Sequence, residues 1–305
     1  MKLEVQSYIK DLQERISSAF EGCDGAAKFL HDDWQHHSGG GGQARVIQNG
    51  AVFEKGGVNF SAVKGVLPEN MATRMNLTGE PAFFATGVSV VMHPQNPFVP
   101  AVHCNFRYFE CYDESGNIAD FWFGGGADLT PCYPYLEDAR HFHATLKAAC
   151  DPFGTDLYPK YKANCDTYFF LPHRQETRGV GGIFFDYLRG DFAQSFAFLK
   201  AAGDAFLEAY LPIVERRKLE PFTNLEREWQ EIRRGRYAEF NLAFDRGTQF
   251  GLATGGRTES ILMSLPPVTR WVYNHMPELD SREAELQDFL QARDWLASES
   301  DLSSR

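Results

Sequence analysis

The chain lacks paired cysteines. Its six cysteines stand singly at 23, 104, 111, 132, 150 and 165, with no CxxC among them. That pattern argues against a zinc knuckle or a thioredoxin-like site and suits a reducing compartment, so a cytoplasmic location is expected. Long apolar runs are missing too: none reaches the about 18 residues that span a bilayer. Met1-Lys2-Leu3-Glu4-Val5 has neither the charged-then-apolar pattern of a signal peptide nor the basic character of a transit peptide. Clustered positive charge is absent as well. With 30 Lys+Arg against 41 Asp+Glu, the net charge is −11, which argues against a nucleic-acid partner. There is no GxxxxGK[ST] loop and no Gly-x-Ser-x-Gly elbow, and Gly179-Val180-Gly181-Gly182 leads into a predicted strand, not a helix. Without a Pro/Ser-rich linker, a low-complexity tract or a repeat, the 305 residues read as a single α+β domain over 1–305.

What is present begins with Pro100-Ala101-Val102-His103-Cys104-Asn105-Phe106-Arg107-Tyr108-Phe109. Its alternation predicts a β-strand with His103, Asn105 and Arg107 on one face, spaced by ~6.6 Å. Val102, Cys104, Phe106 and Tyr108 take the other face and are expected to bury. A face given to an imidazole, a carboxamide and a guanidinium points to a ligand, although an antiparallel sheet can also simply show a polar face to water. Ala85 to His93 reads as a neighbouring strand with Ser89 and His93 on a common face. Asp113-Glu114-Ser115-Gly116-Asn117 supplies turn chemistry before Ile118 to Phe123. The resulting meander ends in Gly124-Gly125-Gly126-Ala127-Asp128, which delivers a carboxylate to a strand end.

Elsewhere, Val5, Ile9, Leu12, Ile16 and Phe20 form a helical stripe, as do Leu136, Ala139, Phe142, Leu146 and Ala149. Phe53 to Ser61, Tyr168 to Leu171 and Ile183 to Tyr187 read as strands. A long helix follows Asp191 as N-cap. A polar helix is expected near 223–234, then an alternating strand from Arg236 to Phe244 ending at Asp245-Arg246-Gly247. A last helix is expected around Leu286 to Leu296. His36 and His37, beside four glycines, are adjacent and diverge, which makes a shared metal a poor fit. His93, His103, His143 and His173 come from separate elements without HxH or HxxxH spacing, so as a metal cluster their signal is weak.

Arginines stand at strand faces and glycine-bordered loops: Arg107, Arg174, Arg178, Arg246 and Arg257. In an acidic chain, that placement suggests a small anionic ligand, since guanidinium forks bind carboxylate bidentately. Many aromatic side chains are available to wall a large apolar ligand.

Several long blocks then make a resemblance: Phe53-Glu54-Lys55-Gly56-Gly57-Val58-Asn59-Phe60-Ser61, Val102 to Phe109, Trp122-Phe123-Gly124 to Pro131, His173-Arg174 with Gly179 to Asp186, and Gly255-Gly256-Arg257 to Pro267. In this order they resemble the aerobic, oxygen-dependent coproporphyrinogen III oxidase family. The resemblance implies a large antiparallel β-sheet flanked by α-helices on both faces, in a homodimer. It implies oxidative decarboxylation of the ring A and B propionates of coproporphyrinogen III to vinyl groups, giving protoporphyrinogen IX, with molecular oxygen as acceptor. By position, His103 becomes the proton donor, and Ser89, Asn105, Phe106, Arg107, Gly255, Gly256 and Arg257 the substrate-binding residues. A divalent metal on His93, His103, His143 and His173 is also implied. It conflicts with His103 as donor, because a metal-bound imidazole nitrogen cannot also donate. The reading without a metal or organic cofactor is preferred.

A porphyrinogen is electron-rich and can itself reduce oxygen, so the protein need only hold the propionates and set a carboxylate against the pyrrole N–H groups. Asp128 and Asp245 are the two choices for that carboxylate, and Arg107, Arg178, Arg246 and Arg257 would grip propionates. Two alternatives stay open: a non-haem metal oxygenase using the histidines, and a porphyrin carrier without turnover. The family likeness and the apolar density of 237–272 together place a dimer contact in that segment.

Overall fold

The computed structural model describes residues 1–36, 39–75, 77–253 and 256–297. Seven antiparallel strands form its main sheet in the order β1-β2-β3-β4-β5-β6-β9. These are β1 (Leu30–Gln35), β2 (Gly40–Gln48), β3 (Phe53–Val66), β4 (Ala82–Pro94), β5 (Ala101–Tyr112), β6 (Ile118–Thr130) and β9 (Gly181–Leu188). Two short strands, β7 (Phe170–Leu171) and β8 (Glu176–Thr177), pair separately. The meander expected from Ala85 to Phe123 is therefore β4-β5-β6, and the α+β class is correct.

Directly opposed residues in an antiparallel pair share a face, so the register can be followed across the sheet. One row runs Asp32, Ala44, Asn59, Ser89, Asn105, Gly126 and Phe184. The next holds Trp34, Gly42, Ser61, Gly87, Arg107 and Gly124, and the row on the other side holds Gly57, Val91, His103 and Asp128. Small and polar residues thus dominate this face, as the alternation of β5 foretold.

The opposite face is the core. Val102, Cys104, Phe106 and Tyr108 bury there against α1 (Lys2–Asp24) and α5 (Phe192–Arg217). From α1 come Val5, Ile9, Leu12, Ile16 and Phe20, at helical spacing; from α5 come Phe196, Leu199, Phe206 and Tyr210. Each such side chain contributes about 2 kcal/mol on leaving water. As the sequence suggested, Asp191 caps α5, its Oδ1 accepting from the Gln194 N–H at 2.8 Å. Helices α3 (Leu136–Cys150) and α4 (Leu157–Tyr168) complete this side, α3 against α5 and α4 against β9.

The polar face is covered only in part. At one end, α2 (Glu69–Arg74) and its flanks bring Leu67 and Ala72 over Phe109 and Cys111. At the other end lies α6 (Asn224–Ala243). Between them passes a crossing segment with α7 (Arg246–Ala253) and α8 (Thr258–Leu262), while α9 (Arg282–Phe289) closes the C-terminal side. The result is a trough with a polar floor.

Three expectations need correction. The last helix, expected around Leu286 to Leu296, is α9 and ends at Phe289. The strand expected over Arg236–Phe244 is the second half of α6, and Tyr168 ends α4 rather than beginning a strand. Tyr237, Phe240 and Asn241 fit a 3.6 period as well as a 2.0 period in so short a window. A capping box decides it: Thr223 Oγ1 accepts from a first-turn N–H and Glu226 returns a bond to the Thr223 N–H. Gly235 does not break the helix. It lets the chain at Arg270 pass close, since a Cβ there would sit 3.2 Å from the Arg270 carbonyl oxygen.

Candidate active site

His103 and Asp128 face each other across β5 and β6, and His103 Nδ1 lies 2.7 Å from Asp128 Oδ1. Asp128 is 1% exposed. Burial pushes its carboxyl up, but Arg178 and His103 outweigh that and hold it below the ordinary carboxylate range. An ionised Asp128 only accepts, so His103 Nδ1 carries the proton and Nε2 is left toward the trough. Arg178 Nη2 donates to both Asp128 oxygens, at 2.8 and 2.7 Å, and its Nη1 donates to Asn241 Oδ1 at 3.0 Å. The guanidinium is packed among Phe169, Tyr237 and Phe240, with ring centroids 4.0 to 4.8 Å away.

This placement corrects two expectations. Arg178 is not a propionate clamp, because its guanidinium is 3% exposed and committed to Asp128 and Asn241. Asp128 does not present its carboxylate to a pyrrole, because it is buried and held by Arg178 and His103. The pair instead orients His103. Asn241 and Tyr237 were missed in the sequence because their stretch was read as a strand, and helical spacing from Thr223 was the signal that would have found them.

Arg107 lies farther along β5. Its Nη1 donates to Asn105 Oδ1 at 2.9 Å, and its Nη2 lies 3.0 Å from Asp186 Oδ1. The side chain is 30% exposed, so a carboxylate can reach it. Gly124 makes the flat arrangement possible: a Cβ there would stand 2.9 Å from both Arg107 Nε and Asp186 Oδ1. Asp186 went unnoticed, although the alternation of Ile183-Phe184-Phe185-Asp186 puts Phe184 and Asp186 on one face. Ser89 is half-buried beside Asn105 in the same row. Phe106, by contrast, points into the core, so its side chain is not a trough contact.

The crossing segment brings in the remaining residues. Asp245 Oδ1 accepts from Tyr168 OH at 2.8 Å and its Oδ2 accepts from the Thr248 N–H at 2.6 Å, so Asp245 serves as a cap for α7. It does not face the trough floor as a free carboxylate. Arg246 is exposed and lies over the Tyr168 ring, which stacks on Phe184 at 4.4 Å. The Gly256 N–H donates to Gly251 O. Gly255 falls outside the described residues. At the far side, Arg257 Nη2 donates to Asp32 Oδ2 on β1, a partner 225 positions away in sequence that no local pattern could show.

The other histidines do not converge on His103. His93 is buried with Nε2 2.9 Å from Ser264 O and its ring edge-on to Tyr237. His143 is buried between Tyr158 OH and Val180 O, at 2.9 and 3.0 Å, so both its nitrogens are engaged. His173 sits at the surface, 2.7 Å from Glu239 and stacked on Phe244. The implied metal set of His93, His103, His143 and His173 is therefore not assembled. Among the described residues, no three His, Cys, Asp or Glu side chains are set to hold a metal.

Burial, joined at His93 by Arg234, pushes both His93 and His143 down to about 3 from an ordinary 6.5. Below pH 6.5 the unfolded chain binds protons there that the folded chain does not. The stabilisation is complete above 6.5 and is lost as pH falls toward 3. The urea midpoint should be lower at pH 5 than at pH 7.5, and in His143→Gln the drop between the two should be smaller. An equal fall in the variant would remove His143 as a source.

An oriented imidazole and two part-exposed, carboxylate-paired arginines, Arg107 and Arg257, thus stand over one polar sheet face. The family model described as coproporphyrinogen III oxidase matches residues 4–295. The chain belongs to that family, and is an oxidoreductase of haem biosynthesis. Among the described residues, no helix is long and apolar enough to cross a membrane.

Proposed function

We propose that the protein is the oxygen-dependent oxidase, converting the ring A and B propionates of coproporphyrinogen III to vinyl groups to give protoporphyrinogen IX. The observation that carries this reading is the trough itself, where His103 held by Asp128 and Arg178 stands two positions from Asn105 and four from Arg107 on one strand face. Arg107 takes the reacting propionate in exchange for its contact with Asp186, and Arg246 and Arg257 lie along the crossing segment for others. The electron-rich pyrrole supplies two electrons. Each propionate loses carbon dioxide, a C–H bond breaks at the carbon next to the ring, and oxygen leaves as hydrogen peroxide. His103 Nε2 handles the proton, and Asp128 stabilises the charged imidazole.

The thiols support a reading without an iron–sulfur cofactor. The six cysteines stand singly at 23, 104, 111, 132, 150 and 165, without the closely spaced set that holds an iron–sulfur cluster. Chelator-treated protein should consume oxygen and release carbon dioxide and peroxide in equal amounts with coproporphyrinogen III. Loss of turnover on chelation, restored by one metal at stoichiometric level, would overturn the metal-free reading.

The homodimer, with its contact in 237–272, belongs to the same proposal. Tyr237, Ala238, Phe240 and Met263 fill the protomer, which corrects the idea that the whole apolar set faces a partner. Leu242, Phe244, Leu252, Val268, Trp271 and Val272 remain exposed and carry the argument. A light-scattering mass of one chain at working concentration would end it.

A further inference from the structure

At the β1–β3 side of the trough, four buried polar atoms have no partner: Trp34 Nε1, Asn59 Oδ1, Arg257 Nη1 and Ser260 Oγ. They belong to facing surfaces. Trp34 and Asn59 project from the sheet in adjacent rows. The Trp34 indole lies flat over β2, where a Cβ on Gly42 would come 2.6 Å from Cε2. Above them, α8 bridges the same strands. Arg257, at its start, reaches Asp32 on β1, and Met263, just past its end, rests on Gly57 of β3. Ser260 falls between these two contacts.

Buried polar groups left unpaired are costly, so several in one corner mark the place of a missing partner. The donors among them are an indole N–H, a guanidinium N–H and a hydroxyl, and the single acceptor, Asn59 Oδ1, lies toward the middle of the trough. A pyrrole bearing a propionate has the complementary order: carboxylate outside, N–H inside. Asp32 holds Arg257 by Nη2 and leaves Nη1 without a partner. From β1 to β5, four inter-strand steps of about 4.8 Å separate this corner from the His103 strand by ~19 Å. A tetrapyrrole with extended propionates covers that span.

We propose that Trp34, Ser260 and Arg257 form a second carboxylate-binding corner, which anchors a propionate of the tetrapyrrole on the side away from His103, with Asn59 accepting the N–H of the same pyrrole. This rests on the trough being the substrate site. The test measures binding of coproporphyrin III and of its uncharged tetramethyl ester by porphyrin fluorescence. Trp34→Phe keeps the ring and removes one N–H; it and Ser260→Ala should each weaken the acid by about tenfold or more, as for a bond to a charged group. Neither should change the affinity of the ester, whereas Asn59→Leu should weaken acid and ester alike. Wild-type affinity for the acid in Trp34→Phe and Ser260→Ala, with Arg107→Ala impaired, would overturn the corner and leave the trough reading standing. Equal weakening of acid and ester in Trp34→Phe would mean lost packing and would also overturn it, as would ordered waters on Trp34 Nε1 and Arg257 Nη1 in a porphyrin complex. If Arg107→Ala binds normally as well, the trough reading itself fails.

Discussion

Arg178→Ala is expected to destabilise the protein by about 3–5 kcal/mol, because it strands a buried carboxylate. Asp128 has no water to turn to, and the two charge-assisted bonds from Arg178 are what keep it ionised inside the sheet. The aromatic walls of Phe169, Tyr237 and Phe240 match a flat cation, so Arg178→Lys should recover only part of the loss. A second substitution separates burial from contact. In Asp128→Asn/Arg178→Met, no unpaired charge remains, and stability should exceed that of Arg178→Ala alone. Urea unfolding of the parent, Asp128→Asn, Arg178→Met and the double variant gives the coupling directly. A double variant no more stable than Arg178→Ala would show that the loss came from packing and not from the stranded charge.

The same residues show why sequence reading reached the floor of the trough but not its walls. His103, Asn105 and Arg107 share a strand, and a period of two is local information, so their common face was legible from ten residues. Asp128 was legible as a carboxylate at a strand end, since the meander brings β6 beside β5 with a short turn. Its state was not legible, because Arg178 arrives from a loop 50 positions on. Arg257 with Asp32 and Arg107 with Asp186 are likewise partnerships set by sheet order. An arginine near glycines reads as free for a ligand until the register shows which carboxylate it already holds. The α6 error has a different origin: nine residues of alternating polarity satisfy two periods at once, and only the cap twelve residues upstream of Gly235 resolves them. That single misreading removed Tyr237 and Asn241 from view and left the role of Arg178 to guesswork.

The division between an oriented imidazole and an exposed guanidinium leads to a second large effect. His103→Gln should lower the turnover of coproporphyrinogen III by about 10²–10⁴-fold, the usual worth of a positioned acid–base group. The glutamine amide can still donate to Asp128, so the buried Asp128–Arg178 pair keeps its neighbour and the fold should keep its stability. Proton transfer through Nε2 is what disappears. Affinity for the porphyrin should move far less, since Arg107 and not His103 faces a propionate in this reading. Arg107→Ala should show the opposite split, with binding weakened by a few kcal/mol through loss of a charge-assisted fork. The two variants therefore distinguish a proton-handling group from a clamp on one strand face. Steady-state turnover with oxygen uptake, set beside equilibrium binding of the porphyrin, reads both. If His103→Gln keeps turnover within about an order of magnitude of the parent, proton transfer by His103 is not a principal contribution. Asp128 and Arg178 would then be left as supports of the sheet rather than of the chemistry.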